Sequence, residues 1–360
     1  MVINHLELFS GIGGFRQAIE LLCHDFGLQS LNVGFSEIDS NAIHTYKSNF
    51  KTDGEIEIGD IVSFASKKDN IKKLPNFDLL TGGFPCQAFS MMGNQKGFKD
   101  LRGNVFFQIN DIIKVKQPKF VLLENVKNLV THNKGNTFET IIKSINEAGY
   151  KYIYHDIFNS CDFALAQNRN RVYIFASKKQ LPEGFKFSNK DVLKSFNDAL
   201  KNTSLMKQKS TIDVLEKEVD GKYYLSDIIK PTILADGSKN FKSKSEIDQL
   251  IARPLTATMA KMHRACQDNY FSDDFIQSYN KKEDASKSFT KEELLQKRIR
   301  RLTPKEAFKL QGFNDKFYEN AKKSKISDSQ LYKQAGNAAS VNTVYAILHY
   351  LFIQMKIAGG

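Results

Sequence analysis

Ile3 to Leu8 is an apolar run of strand length that passes without a spacer into Phe9-Ser10-Gly11-Ile12-Gly13-Gly14-Phe15, after which Ala18, Ile19, Leu22 and Cys23 recur at helical spacing. Strand, glycine turn and helix in that order open an α/β fold of nucleotide-binding type, because glycines let the backbone approach a ligand at a helix N-terminus. By itself such a turn serves a cofactor site and a plain tight turn equally well. Two further strand-like runs end in acids. Asn32 to Ser36 leads to Glu37 and Asp39, and Ile56 to Ile58 leads to Gly59 and Asp60. A carboxylate at the end of the second strand suits the two hydroxyls of an adenosine ribose, and Asp60 is placed to accept from an adenine amino group.

The glycine spacing narrows the cofactor. Dinucleotide sites use Gly-x-Gly-x-x-Gly to seat pyrophosphate at a helix start. Here the order is Gly-x-Gly-Gly with a Phe on each side. That turn fits a cofactor without phosphates and offers an aromatic ring to stack on adenine. Glu37, Asp39 and Asp60 would repel a phosphate more than a sulfonium. S-adenosylmethionine meets both requirements, and a dinucleotide-dependent oxidoreductase is disfavoured.

A second glycine turn follows the short apolar run Phe77 to Thr81 and reads Gly82-Gly-Phe-Pro-Cys-Gln-Ala-Phe-Ser90. It sets Cys86 just past a strand end, where an open α/β sheet binds its ligands. Taken alone, a free cysteine is more often buried and inert. Pro85 favours a nucleophile, since it fixes its own backbone angle and restrains Phe84, so the thiol points one way. Met91 to Gly103 is a polar, glycine-containing loop that reads as mobile surface or as a lid over that thiol. After a helix from Val105 to Val115, the buried-type strand Phe120 to Leu123 ends at Glu124-Asn125-Val126, so Glu124 holds the corresponding strand-end position one β-α unit later. A thiolate, a carboxylic acid and a methyl sulfonium together suit methylation of cytosine carbon 5. Attack at carbon 6 with a proton delivered to nitrogen 3 makes carbon 5 nucleophilic.

With Phe-x-Gly-x-Gly-Gly, Pro-Cys-Gln and Glu-Asn-Val in that order, the chain resembles the cytosine-5 DNA methyltransferases. Gln167-Asn168-Arg169-Asn170-Arg171 before the strand Val172 to Phe175 looks like their Gln-x-Arg-x-Arg motif, and Ala335-Gly336-Asn337-Ala338 like their final Gly-Asn motif. The resemblance implies an S-adenosylmethionine-dependent, Rossmann-like α/β domain with a smaller target recognition domain. It implies Cys86 as nucleophile, Glu124 as proton donor, and Arg169 and Arg171 as residues that bind the flipped base or order the site. Phe9, Gly11, Gly13, Gly14, Glu37, Asp60, Pro85 and Asn337 would line the cofactor site. Gln87, Ser90, Arg102, Arg253 and Thr256 are the candidate DNA contacts, the last two from Arg253-Pro-Leu-Thr-Ala-Thr258, a further family-like segment. A tRNA-directed member of the same fold shares these motifs. A catalytically silent relative would be expected to have lost Cys86, Glu124 or Arg171, and all three are present.

Pro182 and Gly184 mark a boundary after the first domain. The expected organisation is a catalytic and cofactor-binding domain over 1–187, target recognition over 188–300, a hinge over 301–326 and a returning segment over 327–360. Ile299 to Phe313, with Pro304 at its start and Gly312 at its end, reads as the hinge helix. Val341 to Met355 reads as an amphipathic helix that buries its stripe on the first domain. Residues 1–177 hold 19 Lys+Arg against 18 Asp+Glu, while residues 178–360 hold 33 against 22, so nearly all the net charge of +12 lies in the second half. That asymmetry points to a polyanion, here double-stranded DNA. The four cysteines lack metal-ligand or disulfide spacing, and no apolar run is a membrane span. The expectation is a monomeric bacterial modification enzyme of a restriction system, metal-free, reduced and cytoplasmic, associated with the nucleoid through DNA.

Overall fold

The computed structural model describes residues 2–85, 105–237, 243–277 and 289–357. The chain divides into two compact units, unit 1 being Met1–Phe163, Asn170–Leu205 and Ala339–Gly360, and unit 2 being Ala164–Arg169 and Met206–Ala338. In chain order the elements begin β1 (Val2–Leu8), α1 (Gly14–Asp25), β2 (Gln29–Phe35), α2 (Ser40–Asn49), β3 (Ile56–Glu57), α3 (Ile61–Ala65), α4 (Lys68–Lys73) and β4 (Leu79–Gly83). They continue α5 (Val105–Lys116), β5 (Phe120–Val126), α6 (Asn136–Glu147), β6 (Tyr152–Asn159), β7 (Asn170–Ser177) and α7 (Asn189–Ala199). Then follow α8 (Lys230–Leu234), β8 (Tyr270–Ser272), α9 (Asp273–Gln277), α10 (Lys291–Leu295), β9 (Ile299–Arg301), α11 (Pro304–Leu310), α12 (Asp315–Lys323), α13 (Asp328–Asn337) and α14 (Val341–Leu348).

Unit 1 is built on a seven-stranded sheet of order β3-β2-β1-β4-β5-β7-β6. Strands β1 to β5 run parallel, and β7 lies antiparallel between β5 and β6. The order reverses between β1 and β4, which is where an open α/β sheet leaves a crevice beyond its carboxyl ends. Leu8 is level with Gly82, and Gly83 with Glu124, so the glycine turn, the start of the Phe84-Pro85 segment and Glu124 share that end of the sheet. One face of the sheet contributes Leu6, Leu80, Val121, Leu123 and Ile174, which pack with Ile109, Ile112 and Ile113 of α5 and Ile141 and Ile145 of α6. Because side chains alternate along a strand, His5 and Glu7 leave β1 on the opposite side, where Arg16 of α1 and Tyr46 of α2 meet them. Helix α14 packs on α1. All eight of its residues are buried, not just one stripe, and its Asn342 is accommodated by donating to the Phe163 carbonyl at 3.0 Å. The chain then winds into a π-helical turn, His349–Gln354.

Unit 2 has a two-stranded antiparallel sheet, β8–β9, and a small core of Leu225, Ile233, Leu234, Ile247, Ala265, Tyr270, Leu294 and Ile299. Buried polar groups do much of the remaining anchoring. Arg300 and Glu306, both with fully buried side chains, form a two-pronged pair at 2.7 and 2.9 Å, and Glu306 also accepts the backbone N–H groups of Glu216 and Thr303. Within 299–313 the helix begins at the expected Pro304, and a short strand precedes it. Ile299 to Arg301 are that strand, paired with β8, and Thr303 and Glu306 form a capping box at the helix start. Gly312 closes the turn after it with a φ of 94°. Among the described residues no helix is long and apolar enough to cross a membrane, and no group of three His, Cys, Asp or Glu could hold a metal.

Candidate active site

Past β1 the backbone turns through left-handed conformations, with φ of 52° at Phe9, 54° at Gly11 and 89° at Gly13. The three glycines have different reasons. A Cβ on Gly13 would run into the rings of Phe50 and Tyr46, and one on Gly14 into the Ala339 carbonyl, so these two allow α1 to pack. A Cβ on Gly11 would meet nothing within 4 Å, so Gly11 alone leaves room in front of the turn. Its N–H donates to Glu37 Oε2 at 2.9 Å, while Glu37 Oε1 accepts the N–H groups of Ile38 and Asp39 at 2.8 Å each. The Glu37 carboxylate is thereby held against the glycine turn. Helix α1 has no side-chain cap and no acid in its first turn.

Asp60 is a helix cap. It caps α3 through the Val62 and Ser63 N–H groups, and the Ser63 hydroxyl at 2.8 Å holds its carboxyl below the usual range. Asp39 caps α2 in the same way. Of the two aromatic rings flanking the turn, Phe15 is buried in the core at 3% exposure and cannot stack on a ligand; its position on the inner face of α1 decides this. Phe9 is half-buried against the core. Sequence reading passed over Ile38, which stands 76% exposed beside Glu37. Its signal was an isoleucine at a strand end with no place in the apolar alternation.

At the end of β5, Glu124 Oε1 lies 2.9 Å from Arg171 Nε, and the two side chains retain 12% and 19% exposure. Adjacent antiparallel strands bring them together, Val126 of β5 pairing with Arg171 of β7. Arg171 Nη1 also donates to the Asn170 carbonyl at 2.9 Å. Glu124 is level with Gly83, three positions before Cys86 in the chain, and its Oε2 lies 3.3 Å from where a Gly83 Cβ would be. Cys86, Gln87, Ser90, Arg102 and the Met91 to Gly103 loop lie outside the described residues. The approach to them is fixed by Asn125, a buried amide that donates to the Phe84 carbonyl at 2.8 Å. Pro85 follows, exposed. Asn125 is the second residue sequence reading missed, although an amide inside an otherwise apolar strand is a sign of a required partner.

In unit 2, Arg169 is 2% exposed and spends its guanidinium on three carbonyls, Leu255, Gly336 and Ala338, each at 3.0 Å. Gln167 ties the same segments, accepting from the Leu255 N–H at 2.9 Å and donating to the Leu310 carbonyl at 2.9 Å. Gly336 sits against the Thr256–Ala257 backbone with no space for a Cβ. Thr256 and Asn337 are exposed beside these anchors. Arg253 is engaged within the unit, its Nε donating to the Ala265 carbonyl at 3.0 Å.

Residues 3–352 match the C-5 cytosine-specific DNA methylase family. The Type II methyltransferase M1.ScrFI of Lactococcus lactis subsp. cremoris is 37% identical over 342 residues, covering 95% of this chain and 76% of that protein. The orphan methyltransferase M.SPRI of Bacillus phage SPR is 33% identical, with 96% of each chain covered. Among solved structures, the Entamoeba histolytica methyltransferase EhMeth superimposes with a TM-score of 0.74 at 21% identity, covering 98% of this chain and 99% of that one. The S. pombe Dnmt2 methyltransferase does so with 0.69 at 18% identity, covering 97% and 98%. The α/β fold, the ordered motifs and this match over nearly the whole length lead to one conclusion: the chain belongs to the C-5 cytosine-specific DNA methylases and is a DNA (cytosine-5-)-methyltransferase.

Proposed function

We propose that the enzyme methylates a flipped cytosine within a specific duplex sequence through a covalent bond between Cys86 and carbon 6. The observation that carries this reading is the Glu124–Arg171 pair beside Gly83, at the sheet end from which the chain runs into Cys86. Carbon 6 is closed to in-line attack within the base stack, so the nucleotide must leave the helix, at a cost of roughly a few kcal/mol. The Cys86 thiolate adds to carbon 6 while the Glu124 carboxyl proton passes to ring nitrogen 3, and Arg171 steadies the carboxylate left behind. S-adenosylmethionine, when bound, supplies the methyl group that carbon 5 takes up. A base then removes the carbon 5 proton, the C–S bond breaks and restores the thiolate, and the nitrogen 3 proton returns to Glu124.

The residues at the β1 turn fit that cofactor. Gly11 leaves space, Glu37 presents a fixed carboxylate for ribose hydroxyls, and exposed Ile38 offers an apolar face to adenine. Asn337 and Pro85 are proposed to complete the site. Arg169 acts by ordering the segments that carry Thr256 and Asn337, as its three carbonyl partners indicate. Unit 2, most of which lies in the basic half of the chain, is assigned target recognition and phosphate contacts. A monomer in the bacterial cytoplasm, paired with a restriction nuclease, is the setting the Type II relatives suggest, whereas the phage orphan enzymes suggest one without a nuclease. Cys86→Ala is expected to abolish methylation while leaving DNA binding, and DNA carrying 5-fluorocytosine to trap the wild-type enzyme as a denaturation-resistant complex. Methylation by the variant would overturn the reading.

A further inference from the structure

Beneath the glycine turn lies a polar cluster that the reaction does not use. Glu7 is fully buried on β1. Its Oε2 accepts the Tyr46 hydroxyl at 3.2 Å, and that hydroxyl in turn accepts Arg16 Nη1 at 3.2 Å and Asn32 Nδ2 at 3.0 Å. With both Tyr46 lone pairs taken, its one proton must go to Glu7. Arg16 is already matched by Glu55 at 2.8 Å and Glu20 at 2.9 Å, and its guanidinium lies over the Tyr46 and Phe50 rings. Those are the rings against which Gly13 packs. The Arg16 backbone N–H, in the uncapped first turn of α1, also faces the Glu7 carboxyl. Glu7 Oε1 has no hydrogen-bond partner among the described residues.

We propose that Glu7 is a positioning residue for the cofactor turn and does this as a neutral acid, tying β1 to Tyr46 and to the start of α1. The role rests on the cofactor reading given above. Charge balance supports it, since Arg16 is already opposed by two carboxylates and a third anion with an unpartnered, desolvated oxygen would be left uncompensated. The other titratable groups facing Glu7 do not supply a cation. His5, its neighbour on β1, is pushed down to about 3 by burial and then by Arg16, and Tyr46 on α2 is held protonated by burial. Burial pushes Glu7 itself up to about 8, more than Arg16 and the hydrogen bonds of Tyr46 and the Arg16 backbone lower it. The folded pKa lies above the usual 4.5, so the contribution to stability is full below that value and lost as the pH rises through about 8. Between those two values an opened turn, in which Glu7 can ionise, gains on the closed one, and an opened turn does not hold the cofactor.

The test is the dissociation constant of S-adenosyl-L-homocysteine, a product-like probe stable in alkali, measured by calorimetry from pH 6 to pH 9.5 on the full-length protein. For wild type, affinity should fall with rising pH, by up to about tenfold per unit, and level off at a break at about 8, the penalty of a competent fraction that shrinks until Glu7 is ionised in both forms. Glu7→Gln should lack that break, and the difference between the profiles removes titration of the probe's own amino group. Tyr46→Phe keeps the ring under Gly13 but removes the proton given to Glu7, so its break should move to higher pH. Parallel profiles for wild type and Glu7→Gln, or a Tyr46→Phe break that stays in place, would overturn the role of Glu7 alone. Failure of wild type to bind the probe at any pH would overturn the cofactor reading with it.

Discussion

Replacing Gly336 by alanine sets two physical effects against each other. In an ordinary helix interior the change is favourable by ~1 kcal/mol, because alanine loses less backbone freedom on folding. Gly336 sits in the last turn of α13, and a Cβ there would lie well under 3.0 Å from the carbonyl group of Thr256 and the nitrogen of Ala257. These are backbone atoms and cannot rotate away. Relief requires the 255–257 segment to move by about 1 Å, an overpacking cost of ~1–3 kcal/mol. That shift also strains the Arg169 bonds to the Leu255 and Gly336 carbonyls, and charge-assisted bonds contribute ~1.5–3 kcal/mol each. The balance is a loss of about 2–3 kcal/mol. The chain has no tryptophan, so urea unfolding is best followed by circular dichroism, where the unit 2 transition should fall by roughly 1 M for an m-value near 3 kcal/mol/M. Gly221→Ala, where a Cβ meets nothing within 4 Å, is the matched control and should change the midpoint little. Stabilisation by Gly336→Ala would mean that helix propensity wins and that the contact with Thr256 is not a constraint.

Glu124→Gln keeps the side chain's size but removes the acid that the proposed proton transfer needs, so turnover should fall by roughly 10²–10⁴ with cofactor affinity little changed; collapse of cofactor binding in calorimetry would assign Glu124 to the wrong pocket. Arg169→Lys replaces a planar fork by a point charge that cannot reach three carbonyls, and should lower unit 2 stability by ~2–4 kcal/mol in the same urea assay. An unchanged midpoint would show that the three bonds are dispensable. Duplex DNA affinity, followed by fluorescence anisotropy against salt, should fall with a log-log slope of about −0.9 per phosphate contacted. Neutralising lysines after residue 178 should flatten that slope, and those before it should not.

What sequence conveys about this enzyme depends on how local the physics is. The βα order, the strand-end acids and the helical spacing from Val341 follow from a continuous segment, so they could be read directly, whereas burial of every face of α14 could not. The antiparallel insertion of β7 between β5 and β6 could not, because strand direction is set by what pairs across the sheet rather than by the run Val172 to Phe175 itself. The same distinction applies within the motifs. Sequence shows that Gly11, Gly13 and Gly14 stand together, but only their neighbours distinguish the one that faces open space from the two that let α1 approach Phe50 and Ala339. Arg169 and Arg171 stand two positions apart, yet one is closed in by carbonyls of unit 2 and the other faces Glu124 in unit 1. A motif can therefore join residues whose physical reasons for being there differ, which is why substitution of each member separately is informative. Arg169→Lys should move stability before chemistry, and Glu124→Gln chemistry before stability. If both variants changed the two quantities in the same proportion, the division of labour read from these contacts would be wrong.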